Sequence, residues 1–228
     1  MATLITLTEQ PQWFYSVIAL IEILGIMTAF SISYLGYKAY KLMKDKRMLF
    51  FTLGFLFIGL NSAAHAALNL ILNFNFANVL LANRNHYLLL GGLFGIYYFF
   101  IVAVMLAYTS FIIMYSKLEK KDIIFFLFLL TFLIGTFLFR SYYQFNLMSA
   151  VLLGFVVFYT GKNYFKKKST NAFLVFASFT LMTLSHILVL AENLWSFVYL
   201  LRYLFLLIGF ILLLSMMLRV YLAAKKRT

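Results

Sequence analysis

Glu22, His65, His186 and Arg202 each interrupt a long apolar run. A carboxylate, two imidazoles and a guanidinium can exchange protons, pair with one another or hold a small polar ligand. The stretch GLNSAAHAALNLILN, from Gly59, sets Asn61, His65, Asn69 and Asn73 four residues apart. On a helix such steps drift by only about 40° each, so the four form one polar stripe. Small residues surround the histidine (Ser62, Ala63, Ala64, Ala66 and Ala67), letting a neighbouring backbone approach or leaving room for a ligand. Thr180, Thr183 and His186 repeat the pattern further along the chain.

The elements that carry these residues follow from composition. Of 228 residues, 65% are hydrophobic and only 11% charged, where soluble domains have about a quarter charged. This defines an integral membrane protein. A spanning helix needs about 20 apolar residues, and that length selects seven segments: 13–37, 48–73, 87–116, 123–139, 143–161, 171–191 and 195–221. The expected fold is therefore an all-α seven-transmembrane-helix bundle forming a single membrane domain over residues 1–228. Pro11 is the one proline, so no span carries a proline kink.

A formal charge of +13 raises the question of nucleic acid, and the position of the charges answers it. Sixteen of the nineteen Lys and Arg fall after spans 1, 3 and 5 or in the C-terminal tail, leaving Arg84, Arg140 and Arg202 on the other side. The positive-inside rule then puts the N-terminus outside and the C-terminus in the cytoplasm of a multi-pass cell-membrane protein. The basic loops read as topology signals touching the lipid bilayer, with no nucleic-acid partner. The N-terminal segment MATLITLTEQPQ has no basic region ahead of the first apolar run, so span 1 is expected to be retained.

Sliding the chain by 124 residues lays GYKAYKLMKDKRMLFF, from Gly36, over TGKNYFKKKSTNAFLV, from Thr160, matching Lys38, Tyr40 and Lys44 with Lys162, Tyr164 and Lys168. Phe55, Leu60 and Ala67 likewise fall on Phe179, Leu184 and Ala191. A parallel repeat of spans 1–3 and 5–7 joined by span 4 is expected, because an odd linker helix restores the orientation. That layout resembles the three-plus-one-plus-three arrangement of microbial rhodopsins and of SWEET-type sugar transporters. The rhodopsin resemblance implies a retinal lysine in the last span, but LLRYLFLLIGFILLLSMMLRV has none and all thirteen lysines lie elsewhere.

A buried charge or imidazole in a span costs several kcal/mol unless it is paired or faces water, so each marks a candidate site. At about 1.5 Å per residue, Glu22, His65, His186 and Arg202 come out roughly 9–13 Å below the outer boundary. The expected ligand- or proton-binding set is Glu22, Asn61, His65, Asn69, Thr183, His186 and Arg202, with Glu22 and Arg202 as an ion pair. Glu9, Asp45, Glu119, Asp122 and Glu192 read as solvated, and His86 as interfacial. Gly91 and Gly95 form a GxxxG pair suited to close packing, and Tyr97 to Phe100 read as core.

The functional expectation is a receptor or sensor for a small polar ligand or a proton, signalling to a cytoplasmic or membrane partner protein. The alternative is a small-solute or proton transporter of SWEET-like layout. A structural subunit of a membrane complex, its polar groups serving as interhelical glue, and a b-type haem protein ligated by His65 and His186 are further readings. The chain has no cysteine, no HExxH, no GxSxG and no nucleophile beside a base, so no enzyme activity, metal or cofactor is expected.

Overall fold

The computed structural model describes residues 12–73, 86–137, 141–192 and 196–225. Side chains at 12–16, 65, 67–73, 86–94, 96, 97, 137 and 196 lie outside this description, and those of His65, Asn69 and Asn73 are among them. The described chain is all helix: α1 Gln12–Met43, α2 Arg47–Asn73, α3 His86–Ser116, α4 Lys121–Phe137, α5 Tyr142–Lys167, α6 Thr170–Leu188 and α7 Ser196–Lys225. A 3-10 turn, Val189–Ala191, extends α6. Six of these helices, all but α4, are long and apolar enough to cross a membrane.

Helix ends depart from the apolar limits for a physical reason. Lys38 and Lys41 belong to α1, and Lys162, Lys166 and Lys167 to α5, because straight-chain residues extend a helix well past the apolar run. Lys38 and Lys41 then lie over the rings of Tyr34 and Tyr37, at 4.6 and 4.7 Å from the centroids. Three connections at this end contain a left-handed lysine, Lys44, Lys117 and Lys168, with φ of 56°, 56° and 47°. A lysine in that conformation costs about 1 kcal/mol, but it returns its N–H to the helix it ends: Lys44 to the Tyr40 carbonyl at 2.8 Å and Lys168 to that of Tyr164 at 2.7 Å. Its charge also suits the negative end of the helix dipole. The following helices are capped in turn, α2 by Asp45 on the Arg47 N–H and α6 by Ser169 on that of Ala172. The Arg47 guanidinium, hydrogen-bonded to Asp45, holds that carboxyl below its usual range.

Neighbouring helices pack in the order α1, α2, α3, α5, α6, α7 and back to α1, a closed ring of six, while α4 stands outside on α3. Thr109 and Thr131 join α3 to α4 at 2.9 Å, and Gly135 lets α4 approach Val102. Large apolar side chains such as Phe125, Phe126, Phe158 and Phe197 face outward, as a helical bundle surrounded by lipid requires. Gly95 is exposed with nothing close to its missing side chain, so its half of the GxxxG pair does not pack inside the bundle. Tyr98 and Phe99 also face outward, and Phe100 alone of the described members of that aromatic run is buried.

Towards the lysine-bearing end, the interior of the ring is filled by fully buried rings: Phe51 and Phe55 from α2, Phe111 from α3, Phe179 from α6 and Phe210 from α7. Centroids are 4.9 Å apart for Phe51 and Phe55, 5.0 Å for Phe55 and Phe111, and 5.2 Å for Phe111 and Phe179. Gly54 makes this plug possible, since a Cβ there would overlap the Phe111 ring. Gly54→Ala should therefore destabilise the protein by about 1–3 kcal/mol, although the same change on an exposed helix face stabilises by about 1 kcal/mol. Thermal unfolding in detergent, with Gly95→Ala as the open-space comparison, measures the difference, and equal effects would show that Phe111 yields freely.

Candidate functional site: a buried polar network between α3, α5, α6 and α7

At the other end of the ring the interior is polar. His186, on α6, is buried, with its Nδ1 2.8 Å from Asn146 Oδ1 on α5 and its Nε2 2.6 Å from the Tyr108 hydroxyl on α3. Asn146 donates its own Nδ2–H to the Tyr142 carbonyl at 2.8 Å, which fixes the amide with its oxygen towards the histidine. His186 must then donate from Nδ1, and its Nε2 accepts the Tyr108 proton in the neutral tautomer. Phe145 and Tyr108 stand edge-on to the imidazole, at 6.3 and 5.6 Å. All the hydrogen-bonding capacity of the ring is met by the protein.

Tyr142 links this group to a second one. Its hydroxyl accepts from Arg202 Nη1 on α7, and the same nitrogen lies 2.9 Å from Glu192 Oε1. The guanidinium also lies 5.5 and 5.3 Å from the ring centroids of Tyr142 and Tyr203. Tyr203 and Tyr199 hydroxyls are 3.2 Å apart on the same helix. The Arg202 and Glu192 side chains keep only 16% and 10% of their exposure, so the pair is largely desolvated and its attraction correspondingly strong.

The expected partner of Arg202 was Glu22, and the structure assigns its ion pair to Glu192 instead. Glu192 is accordingly not solvated: the 3-10 turn after α6 folds it back against α7. Glu22 is buried on α1, within electrostatic range of Tyr199 and Tyr203. Asn61 is half-buried on α2, and its Oδ1 is enclosed without a hydrogen-bond partner among the described residues. Thr183 donates to the Phe179 carbonyl of its own helix at 2.8 Å, as Thr180 does to Phe176, so the hydroxyl stripe on α6 satisfies its own backbone and does not reach across. His65 and Asn69 are placed in α2 by the backbone, with side chains outside the described residues.

Sequence reasoning missed Tyr108, Tyr142, Asn146 and Glu192. Asn146 did carry a signal, as an amide within an apolar span, while the tyrosines were indistinguishable from the sixteen in the chain. The bis-histidine haem reading meets a chemical obstacle at His186, where both ring nitrogens are engaged by Asn146 and Tyr108 and neither is left for iron. Among the described residues, no group of three or more His, Asp or Glu is placed to hold a metal ion.

Fold and site together define a multi-pass helical membrane protein with a polar network in its interior. Residues 18–101 match the model of a family of unknown function, DUF7521. The matched segment runs from α1 into α3 and includes Glu22, Asn61, His65 and Asn69, whereas His186 and Arg202 lie beyond it. No curated protein and no solved structure matches the chain.

Proposed function

We propose that the protein is a cell-membrane receptor or sensor, N-terminus outside, in which a small polar ligand or a proton acts on the interior polar layer and a cytoplasmic partner reads the result. The layer comprises Glu22, Asn61, His65, Asn69, Thr183, His186 and Arg202, of which His186 and Arg202 are linked through Tyr108, Asn146, Tyr142 and Glu192. The observation that carries the reading is the junction of the network with the aromatic plug. Tyr108 lies one turn from Phe111 on α3, His186 two turns from Phe179 on α6, and Arg202 about 12 Å along α7 from Phe210. A change in the network therefore moves the rings that pack the lysine-bearing half of the bundle. A filled interior favours signalling over a through-path, because sensing needs helix displacement only.

A transporter is the second reading, and the two halves of the chain support it. The 124-residue register pairs Lys44 with Lys168, each left-handed and each bonded to the tyrosine carbonyl four residues back. It also pairs the capping residues Asp45 and Ser169, and the fully buried Ala29, Ile32 and Phe55 with Leu153, Val156 and Phe179. Glu22 falls on Asn146, both buried and polar. This is the expectation for two three-helix units joined by α4, an arrangement that can rock about a shared site.

The absence of cysteine allows spin labels at Glu119→Cys and Leu222→Cys, two exposed positions near the lysine-bearing end. The sensor reading expects their distance distribution to change between pH 8 and pH 5, the range in which an imidazole titrates, without proton flux in proteoliposomes, and the change to vanish in His65→Gln. Flux abolished by Glu22→Gln would establish the transporter. Invariant distances without flux would sink the proton-sensing reading.

A further inference from the structure

A cleft of about 740 Å³ opens at the lysine-bearing end, between the ends of α2, α3, α5, α6 and α7. Among the described residues its lining holds five cations, Arg47, Lys117, Lys162, Lys166 and Lys167, against one carboxylate, Asp45, which is already paired with Arg47 at 2.8 Å. Glu119 is a further acid within electrostatic range of Arg47. Ser169, Asn163 and Asn171 add neutral hydrogen-bonding groups. The remaining wall is apolar, from Met48, Met114, Val175, Met216 and Val220, and Tyr115 in that wall packs edge-on against the plug residue Phe179 at 5.5 Å.

Topology explains positive charge on this side but not its gathering around one cavity. The positive-inside rule is satisfied by sixteen cations anywhere near the helix ends, and Lys41, Lys120 and Lys121 satisfy it without touching the cleft. A cationic rim over a methionine and valine floor suits an amphiphile with an anionic head. The volume falls in the range of small-molecule sites, roughly 300–1,000 Å³, and would hold only about five residues of a helix 10–12 Å across. We propose that this cleft binds the phosphate headgroup of an anionic phospholipid, with the glycerol and first methylenes on the apolar floor. Occupancy there bears on the floor of the plug, and this proposal stands independently of the sensor reading.

The test is native mass spectrometry of the full-length protein in neutral detergent, titrated with phosphatidylglycerol, phosphatidylcholine or glycerol 3-phosphate. Phosphatidylglycerol should bind in preference to the other two. The cleft triple Lys117→Gln, Lys162→Gln and Lys166→Gln should weaken it about 100-fold, from about fivefold per lysine, and the matching Lys→Arg triple should retain it. The control triple Lys41→Gln, Lys120→Gln and Lys121→Gln removes the same charge from the same side and should change binding by less than about threefold. If the Gln triple fails to fold, Lys162→Gln and Lys166→Gln are read singly, each expected to weaken binding about fivefold. Equal losses in both triples would overturn the proposal in favour of diffuse surface attraction. Glycerol 3-phosphate binding as tightly as the lipid would overturn it in favour of a soluble phosphate ligand, and an acidic peptide retained where lipid is not would overturn it in favour of a protein partner.

Discussion

Glu192→Gln is expected to destabilise the detergent-solubilised protein by about 3 kcal/mol, near the lower end for breaking a buried ion pair because Arg202 keeps 16% exposure. The loss comes from what remains. Arg202 stays fixed between the Tyr142 and Tyr203 rings with its charge no longer neutralised. Arg202→Gln leaves the Glu192 carboxylate similarly stranded, at 10% exposure, and the double substitution should recover most of either loss, since two amides carry no net charge. Arg202→Lys should recover little, because an ammonium cannot spread over two aromatic faces while reaching both Tyr142 and Glu192. A double-mutant cycle measured by thermal or steric-trap unfolding gives the coupling directly. A strictly additive Glu192–Arg202 cycle, or a Glu22–Arg202 cycle with stronger coupling, would contradict the pairing.

His186→Leu should cost about 2 kcal/mol, as it leaves Asn146 Oδ1 and the Tyr108 hydroxyl buried without their partner. Hydrogen bonds between helices in lipid average nearer 0.6 kcal/mol each, which holds the figure below that of the ion pair. Removing the stranded groups as well, with Asn146→Leu and Tyr108→Phe, should return part of the loss, because apolar replacement of all partners is close to neutral. Nitrogen chemical shifts of labelled His186 provide a check that stability alone does not. The Asn146 geometry requires the Nδ1–H tautomer, and a dominant Nε2–H form would mean that the amide is turned the other way.

These two predictions involve different links between sequence and structure. His186 and Arg202 stood out because an imidazole or guanidinium in an apolar run is expensive, a property of composition at one position. Asn146 could be singled out on the same grounds, and the register that pairs it with Glu22 was available from the overlay of the two basic loops. Their partners were another matter. Thr183 and His186 share a helical face by spacing, yet Thr183 turns to its own backbone while His186 reaches α3 and α5. Glu192 lies ten residues from Arg202 and looked like part of a polar connection until the 3-10 turn carried it back into the interior.

The amino-acid sequence by itself determined the helices, their approximate ends, the gathering of lysines at one end and the presence of costly polar groups in the spans. All of these depend on local hydropathy, local backbone preference or single-residue chemistry, which a linear chain displays. Only the tertiary structure decided that α4 leaves the ring and that Glu192, not Glu22, neutralises Arg202. It alone brought five phenylalanines from four helices into one plug and five cations from three segments around one cleft. Those outcomes depend on the rotation of each helix about its axis and on which helices become neighbours. Periodicity narrows such choices to a face, and packing selects the partner.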